Sequence, residues 1–158
     1  MTKYIIFILA FCTLYLACQP SARSRRSYLQ PDPAQDTTVI YLHNFVNDWL
    51  GTPYQYGGMS KNGTDCSGFT LQVMLNVYNI QIPRQSLDQY LNGQRVGRGR
   101  IEPGDLLFFR EVRSRGIDHV GIYLGDGKFA HATENAGVTI SELYEDYYDS
   151  RYAGACRY

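Results

Sequence analysis

No stretch of this chain is apolar for long enough to cross a membrane: the one sustained run, Tyr4 to Ala17, falls short of the roughly 20 residues that a spanning helix needs. Behind Lys3, that run has instead the form of a signal peptide. Cysteine pairs of the Cys-x-x-Cys type and a His-Glu-x-x-His helix are also missing. A lone cysteine with two histidines makes a poor zinc site, so no metal and no other cofactor is expected. Charge excess is lacking too, with 15 basic residues against 15 acidic, and nothing in that balance points to nucleic acid as a partner. Histidines number only three, which leaves imidazole chemistry few places to reside.

What is present centres on Cys66. It lies between a turn-forming segment, Tyr56-Gly57-Gly58 through Asp65, and a long apolar run from Phe69 onward. That places its sulfur where a loop hands over to a helix N-terminus. A free thiol titrates near 8.5, and a mostly ionised nucleophile at neutral pH needs that lowered by roughly 2 to 4 units, or about 3 to 5 kcal/mol. A helix terminus contributes about 0.3 to 1 kcal/mol, and up to about 2 when partly buried. The remainder has to come from an imidazole that takes the proton, itself oriented by a third group.

The three histidines differ in setting. His43 falls on the polar side of a helical pattern carried by Val39, Leu42, Val46, Trp49 and Leu50, and reads as a solvated surface residue. His119 opens an alternating strand, and His131 lies in the strand that returns after Gly125-Asp126-Gly127. If that turn is a three-residue loop, Leu124 pairs with Lys128, Gly121 falls opposite His131, and the two imidazoles share one face as diagonal neighbours. A two-residue turn would shift the register by one and send His131 to the other face, so the three-residue loop is the one expected.

The pattern predicts helices over Thr38–Leu50, capped by Thr37 or Thr38, over Cys66–Asn79, interior because it is apolar nearly all round, and over Ser86–Leu91. Asn92 to Gly104 reads as an irregular connection. Strands follow over 105–110, 119–124, 128–133, 138–141 and 153–158, with a short helix near 143–149. Helices first and strands after argue an α+β fold. The domain organisation expected is 1–17 signal peptide, 18–37 tether and 38–158 a single compact domain, large enough for one core. The tether, rich in Pro, Ser and Arg, has a reach of roughly 25 Å.

The blocks Leu50–Gly58, Thr64-Asp65-Cys66-Ser67-Gly68-Phe69, Ile82-Pro83-Arg84-Gln85-Ser86, Glu102–Phe109, Asp118-His119-Val120-Gly121-Ile122-Tyr123-Leu124 and Phe129-Ala130-His131-Ala132 run in an order that resembles the NlpC-type peptidoglycan endopeptidases, papain-like cysteine peptidases of bacterial cell walls. The resemblance covers roughly residues 38–158. It implies a papain-like core of N-terminal helices packed on an antiparallel sheet, with Cys66 as nucleophile, His119 as general base and later acid, and His131 as the orienting residue. It further implies that Tyr56 supports the oxyanion beside the Cys66 backbone N–H, that Asp65 lines the cleft and meets a cationic amine of the peptide stem, and that Ser67 lines the same cleft. Arg84 and Ser86 match a block whose role is read as structural.

The segment Leu14-Tyr15-Leu16-Ala17-Cys18 resembles a bacterial lipobox, although Tyr15 and Leu16 stand where that pattern prefers Leu and a small residue. Lipidation at Cys18 would anchor the protein to a membrane with its catalytic domain in the periplasm, acting as a monomer on peptidoglycan peptide stems or cross-links, with a lean toward cross-links. Two alternatives have distinct signatures. A silent wall-binding module would have lost Cys66 or His119, and the permuted acyltransferase relatives place their histidines before the cysteine; neither applies here. A Cys66–Cys156 disulfide would remove the nucleophile.

Overall fold

The computed structural model describes residues 33–110, 112 and 116–158. The apolar run at Tyr4–Ala17, Cys18 and the tether as far as residue 32 lie outside them. Helix α1 (Pro33–Trp49) starts ahead of the predicted Thr38, so Thr37 and Thr38 sit inside it instead of capping it, and its first turn reaches into the segment read as tether. Proline suits that first position, because its fixed φ is already helical and its missing N–H would have no partner there. Of the stripe that the spacing predicts, Leu42, Val46 and Trp49 are buried, whereas Val39 is half-buried and Leu50, past the helix end, is exposed.

A two-residue ladder of β1 (Met59–Ser60) and β2 (Gly63–Thr64) precedes α2 (Cys66–Tyr78), and α3 is Ser86–Asn92. The connection expected after it holds a strand, β3 (Gln94–Val96), and a 3-10 turn at Arg98–Arg100. Then come β4 (Leu106–Arg110), β5 (Ile117–Gly125), β6 (Lys128–Thr133), β7 (Gly137–Glu142), the short α4 (Asp146–Asp149) and β8 (Tyr152–Arg157). The six longer strands form one antiparallel sheet ordered β3-β8-β4-β5-β6-β7. Helices first and an antiparallel sheet after make this α+β, as the sequence pattern implies.

The strands alternate their side chains between two clusters. Leu106, Phe108, Val120, Ile122 and Ala130 pack with Leu42, Trp49, Phe69 and Val73 of the first two helices. Leu107, Phe109, Tyr123 and Phe129 form the second cluster with Leu143, and Tyr148 of α4 stacks edge-on to Phe109 and Phe129. Helix α2 is interior only as far as Met74: Cys66 to Thr70, Val73 and Met74 are buried, whereas Leu75 is exposed. Its apolar circumference therefore overstates its burial, because the sheet covers one side only beyond Met74. His43 also departs from its reading as simply solvated: its ring is exposed, yet Nε2 donates to the Leu124 carbonyl at 3.0 Å and ties α1 to the end of β5.

The β5–β6 turn is not the expected three-residue loop with Leu124 paired to Lys128. Gly125 pairs with Lys128, so the turn is the two-residue Asp126-Gly127, with φ of 50° and 76°. Before it the register slips between Tyr123 and Gly125, leaving Leu124 as a bulge, and Tyr123 then pairs with Phe129 and Ile122 with Ala130. The extra bulge residue restores the parity that a short turn alone would have lost.

Candidate active site

Asp65 starts α2 by accepting from the Gly68 N–H at 2.7 Å, the bond that an N-cap supplies. The same carboxylate takes the Gly57 N–H at 2.8 Å and two nitrogens of Arg84 at 2.9 and 2.7 Å. Burial alone would raise its pKa, but the Arg84 and backbone hydrogen bonds and the guanidinium charge together hold it below the ordinary carboxylate value. Arg84 also donates to the Ser67 hydroxyl at 2.9 Å and to the Gly58 carbonyl at 3.1 Å. One guanidinium thus clasps the Gly57-Gly58 loop to the first turn of α2. The approach is close: a Cβ on Gly68 would sit 2.2 Å from the Gly58 carbonyl oxygen.

Within this clasp Cys66 is 5% exposed. Backbone N–H groups of Val120, Ser67 and Cys66 itself favour the ionised sulfur, but burial outweighs them and pushes the thiol up to about 11, with the Asp65 charge adding to the rise. The helix terminus alone therefore leaves the sulfur protonated. Val120 follows His119 in the chain, so β5 brings the nucleophile candidate and the first histidine to neighbouring residues.

His119 and His131 are both buried, and His119 Nε2 lies 2.8 Å from His131 Nδ1. The shared face required by the sequence reasoning is thus present. Gly121 makes room for it, since a Cβ there would meet Phe129 Cδ2 at 2.6 Å, the Ala130 oxygen at 2.8 Å and His131 Cβ at 3.2 Å. Burial, with the His119 charge second, drives the His131 pKa well below its ordinary value, so this ring stays neutral. Its other nitrogen, Nε2, is 2.9 Å from Ser141 Oγ.

Two open pockets meet at Tyr54. One, of about 630 Å³, is lined by Cys66, Asp65, Ser67 and Arg84 along with Tyr56, which is 82% exposed at its rim. The other, of about 380 Å³, is lined by His119, Thr133, Glu134, Ser141, Tyr147 and Tyr148 among others. A cleft that passes the sulfur on one side and the histidine on the other can hold an extended chain across both. Cys156, the thiol that could have competed for Cys66, is free and buried in β8, where Arg95 Nη1 lies 3.1 Å from its sulfur.

The sequence profile described as NlpC/P60 family matches residues 51–157. The chain belongs to the NlpC/P60 family. It is 35% identical over 150 residues to the probable endopeptidase NlpC of Escherichia coli, spanning 95% of this chain and 92% of that one. It is 41% identical over 110 residues to the murein DD-endopeptidase MepS/murein LD-carboxypeptidase of the same organism, over 70% of this chain and 57% of that one. A solved NlpC/P60 family protein from Bacillus cereus superposes with a TM-score of 0.69 at 38% identity, covering 76% of this chain and 40% of that one. The papain-like α+β core expected from the motif order is the fold of this NlpC/P60 chain.

Within the NlpC/P60 domain the structure adds tasks that motif reading missed. Asp65 is more than a cleft wall: both its oxygens are already engaged, as cap and as partner of Arg84. Arg84, read as structural, fixes the nucleophile loop. Ser141 and Tyr148 were not singled out, although the alternation of β7 puts Ser141 on the His131 face once the β6–β7 register is known. Cys18 lies outside the described residues.

Proposed function

We propose that the protein is a murein hydrolase in which Cys66, His119 and His131 carry out thiol peptidase chemistry on the peptide cross-links of the cell wall. The observation that carries this reading is the buried His119–His131 hydrogen bond on the strand whose Val120 amide favours the Cys66 thiolate. His119 engages His131 through Nε2, which assigns proton exchange with the sulfur to Nδ1. On substrate binding the thiol proton passes to Nδ1, and the thiolate adds to the peptide carbonyl carbon. The oxyanion is held by the Cys66 N–H, with the Tyr56 hydroxyl as second donor. Nδ1 then gives its proton to the leaving amine as the C–N bond breaks. Water, deprotonated by the same nitrogen, displaces the thiolate from the acyl-enzyme.

His131 stays neutral throughout and accepts from the charged His119, so the imidazolium is stabilised without a second proton moving. Ser67 and Asp65 hold the acyl side of the cleft, and any amine of the peptide stem that docks there shares the Asp65 carboxylate with Arg84. The first half of the name of one relative, murein DD-endopeptidase MepS/murein LD-carboxypeptidase, supports the cross-link as target, while a relative from Bacillus cereus named gamma-D-glutamyl-L-lysine dipeptidyl-peptidase supports the stem. The apolar run before Cys18 supports an export signal with a lipid anchor at that residue, and hence a periplasmic catalytic domain tethered to a membrane. Mass spectrometry of muropeptides after digestion of isolated murein tests the reaction. Cross-linked dimers should give way to monomers with intact stems; shortened stems with persisting dimers would overturn the choice of bond, and an unchanged pattern the whole reading.

A further inference from the structure

The hydrogen-bonded chain that begins at His119 does not end at His131. His131 Nε2 lies 2.9 Å from Ser141 Oγ, and Tyr148 Oη lies 3.5 Å from the same nitrogen. Ser141 is opposite Phe129 in the β6–β7 ladder while His131 is opposite Thr139, so serine and histidine are diagonal neighbours on one face. The rings of His131 and Tyr148 meet edge to face, with centroids 5.3 Å apart at 85°.

The direction of this chain matters because a neutral imidazole carries one N–H. In one direction, His131 holds its proton on Nε2 and donates to Ser141. Its Nδ1 then accepts from His119 Nε2–H, and His119 keeps Nδ1 unprotonated to take the thiol proton. In the other direction Ser141 donates to His131 Nε2, His131 Nδ1–H donates to His119 Nε2, and neutral His119 must carry its proton on Nδ1, where it blocks that transfer. Two identical ring types cannot choose between these directions by themselves.

We propose that Ser141 is a positioning residue that holds His131 in the Nε2–H tautomer, with the Tyr148 hydroxyl oxygen, 3.5 Å from the same nitrogen, as a second acceptor. Its catalytic consequence rests on the peptidase reading above; the tautomer assignment does not. Ser141 is linked to His119 through His131. Its effect reaches the reaction only through the proton positions of the two histidines, in the way that an outer hydrogen-bond partner sets the orientation and basicity of a working imidazole. Tyr148 lines the open pocket beside His119, so its hydroxyl can donate a hydrogen bond to solvent while its oxygen accepts from the ring.

The test is long-range proton–nitrogen correlation on the full chain labelled with nitrogen-15 histidine, where three histidines give three assignable rings. His131 in the wild type should show the Nε2–H pattern. In Ser141→Ala the Nδ1–H pattern should appear, with kcat on murein falling on the order of tenfold and KM changing little. Ser141→Thr, which keeps the oxygen, should restore both. Tyr148→Phe should move the spectrum in the same direction as Ser141→Ala and serves if the serine variant fails to fold. A wild-type His131 protonated on Nδ1, or an Nε2–H pattern unchanged by losing either hydroxyl, would overturn the proposal. Spectra as expected in a protein that hydrolyses no murein would instead overturn the peptidase reading and leave the tautomer assignment standing.

Discussion

At the scale of the residue, Cys66 is pulled two ways, by three backbone N–H groups that favour the thiolate and by burial that opposes it more strongly. The resting site accordingly holds a neutral thiol beside a neutral His131, and in the proposed mechanism the nucleophile is made when His119 accepts the proton, with substrate in place. A consequence for stability follows from linkage. The folded thiol titrates at about 11 against an ordinary value of 9.0. Below pH 9 both states hold the proton and the full stability is present; between 9 and 11 the unfolded chain releases it first, so stability falls as pH rises, by about 3 kcal/mol in all. Urea denaturation across that window should show a Cys66→Ala variant losing stability less steeply than the wild type. Parallel curves for the two proteins would contradict the raised thiol pKa. Residue types marked Cys66, His119 and His131 as candidates before any fold was known, since nucleophile and base chemistry draws on few side chains. Arg84 and Ser141 were not legible that way, because arginine and serine are common and act here only through contacts that the chain makes far apart in sequence.

At the scale of the element, the β5–β6 hairpin shows what alternation can and cannot predict. Period-two patterning placed the strands within a residue or two, and the shared face of the two imidazoles followed only with the expected odd loop. It could not distinguish an odd loop from a short turn with a bulge, since both preserve parity, and the structure uses the bulge at Leu124. Helix starts were legible where a side chain marks them, as Asp65 does for α2, and less so where the first turn is marked only by Pro33. Short strands escaped notice because two or three residues show no period: β1, β2 and β3 are all of this kind. The hairpin also offers a direct test of packing at the histidine pair. Gly121→Ala puts a methyl against Phe129, the Ala130 carbonyl and His131, an overpacking that should cost about 1 to 3 kcal/mol and reduce hydrolysis by displacing His131. Denaturation midpoints and murein turnover that both match the wild type would contradict that account of the close approach.

At the scale of the whole molecule, one α+β domain presents two pockets that share Tyr54, one lined by Cys66 and the other by His119, and we propose export and anchoring through the segment ahead of it. The architecture was legible from the order of helices and strands, together with motif spacing that no single block would have supplied. Which peptide bond the cleft accepts was not legible, because that depends on the shape of pockets built from residues distant in the chain. Replacing Cys18 by serine should release the protein from the membrane fraction into the soluble periplasmic fraction; membrane association unchanged by the substitution would contradict lipidation there. The central claim is that hydrolysis of murein runs through the Cys66 sulfur. Its most direct measurement compares wild type and Cys66→Ala, matched for folding by circular dichroism and thermal midpoint, in release of soluble peptides from isolated murein. The account predicts that the variant loses activity by at least about 1000-fold while keeping its fold; a folded Cys66→Ala protein that still solubilises murein at a comparable rate would contradict it.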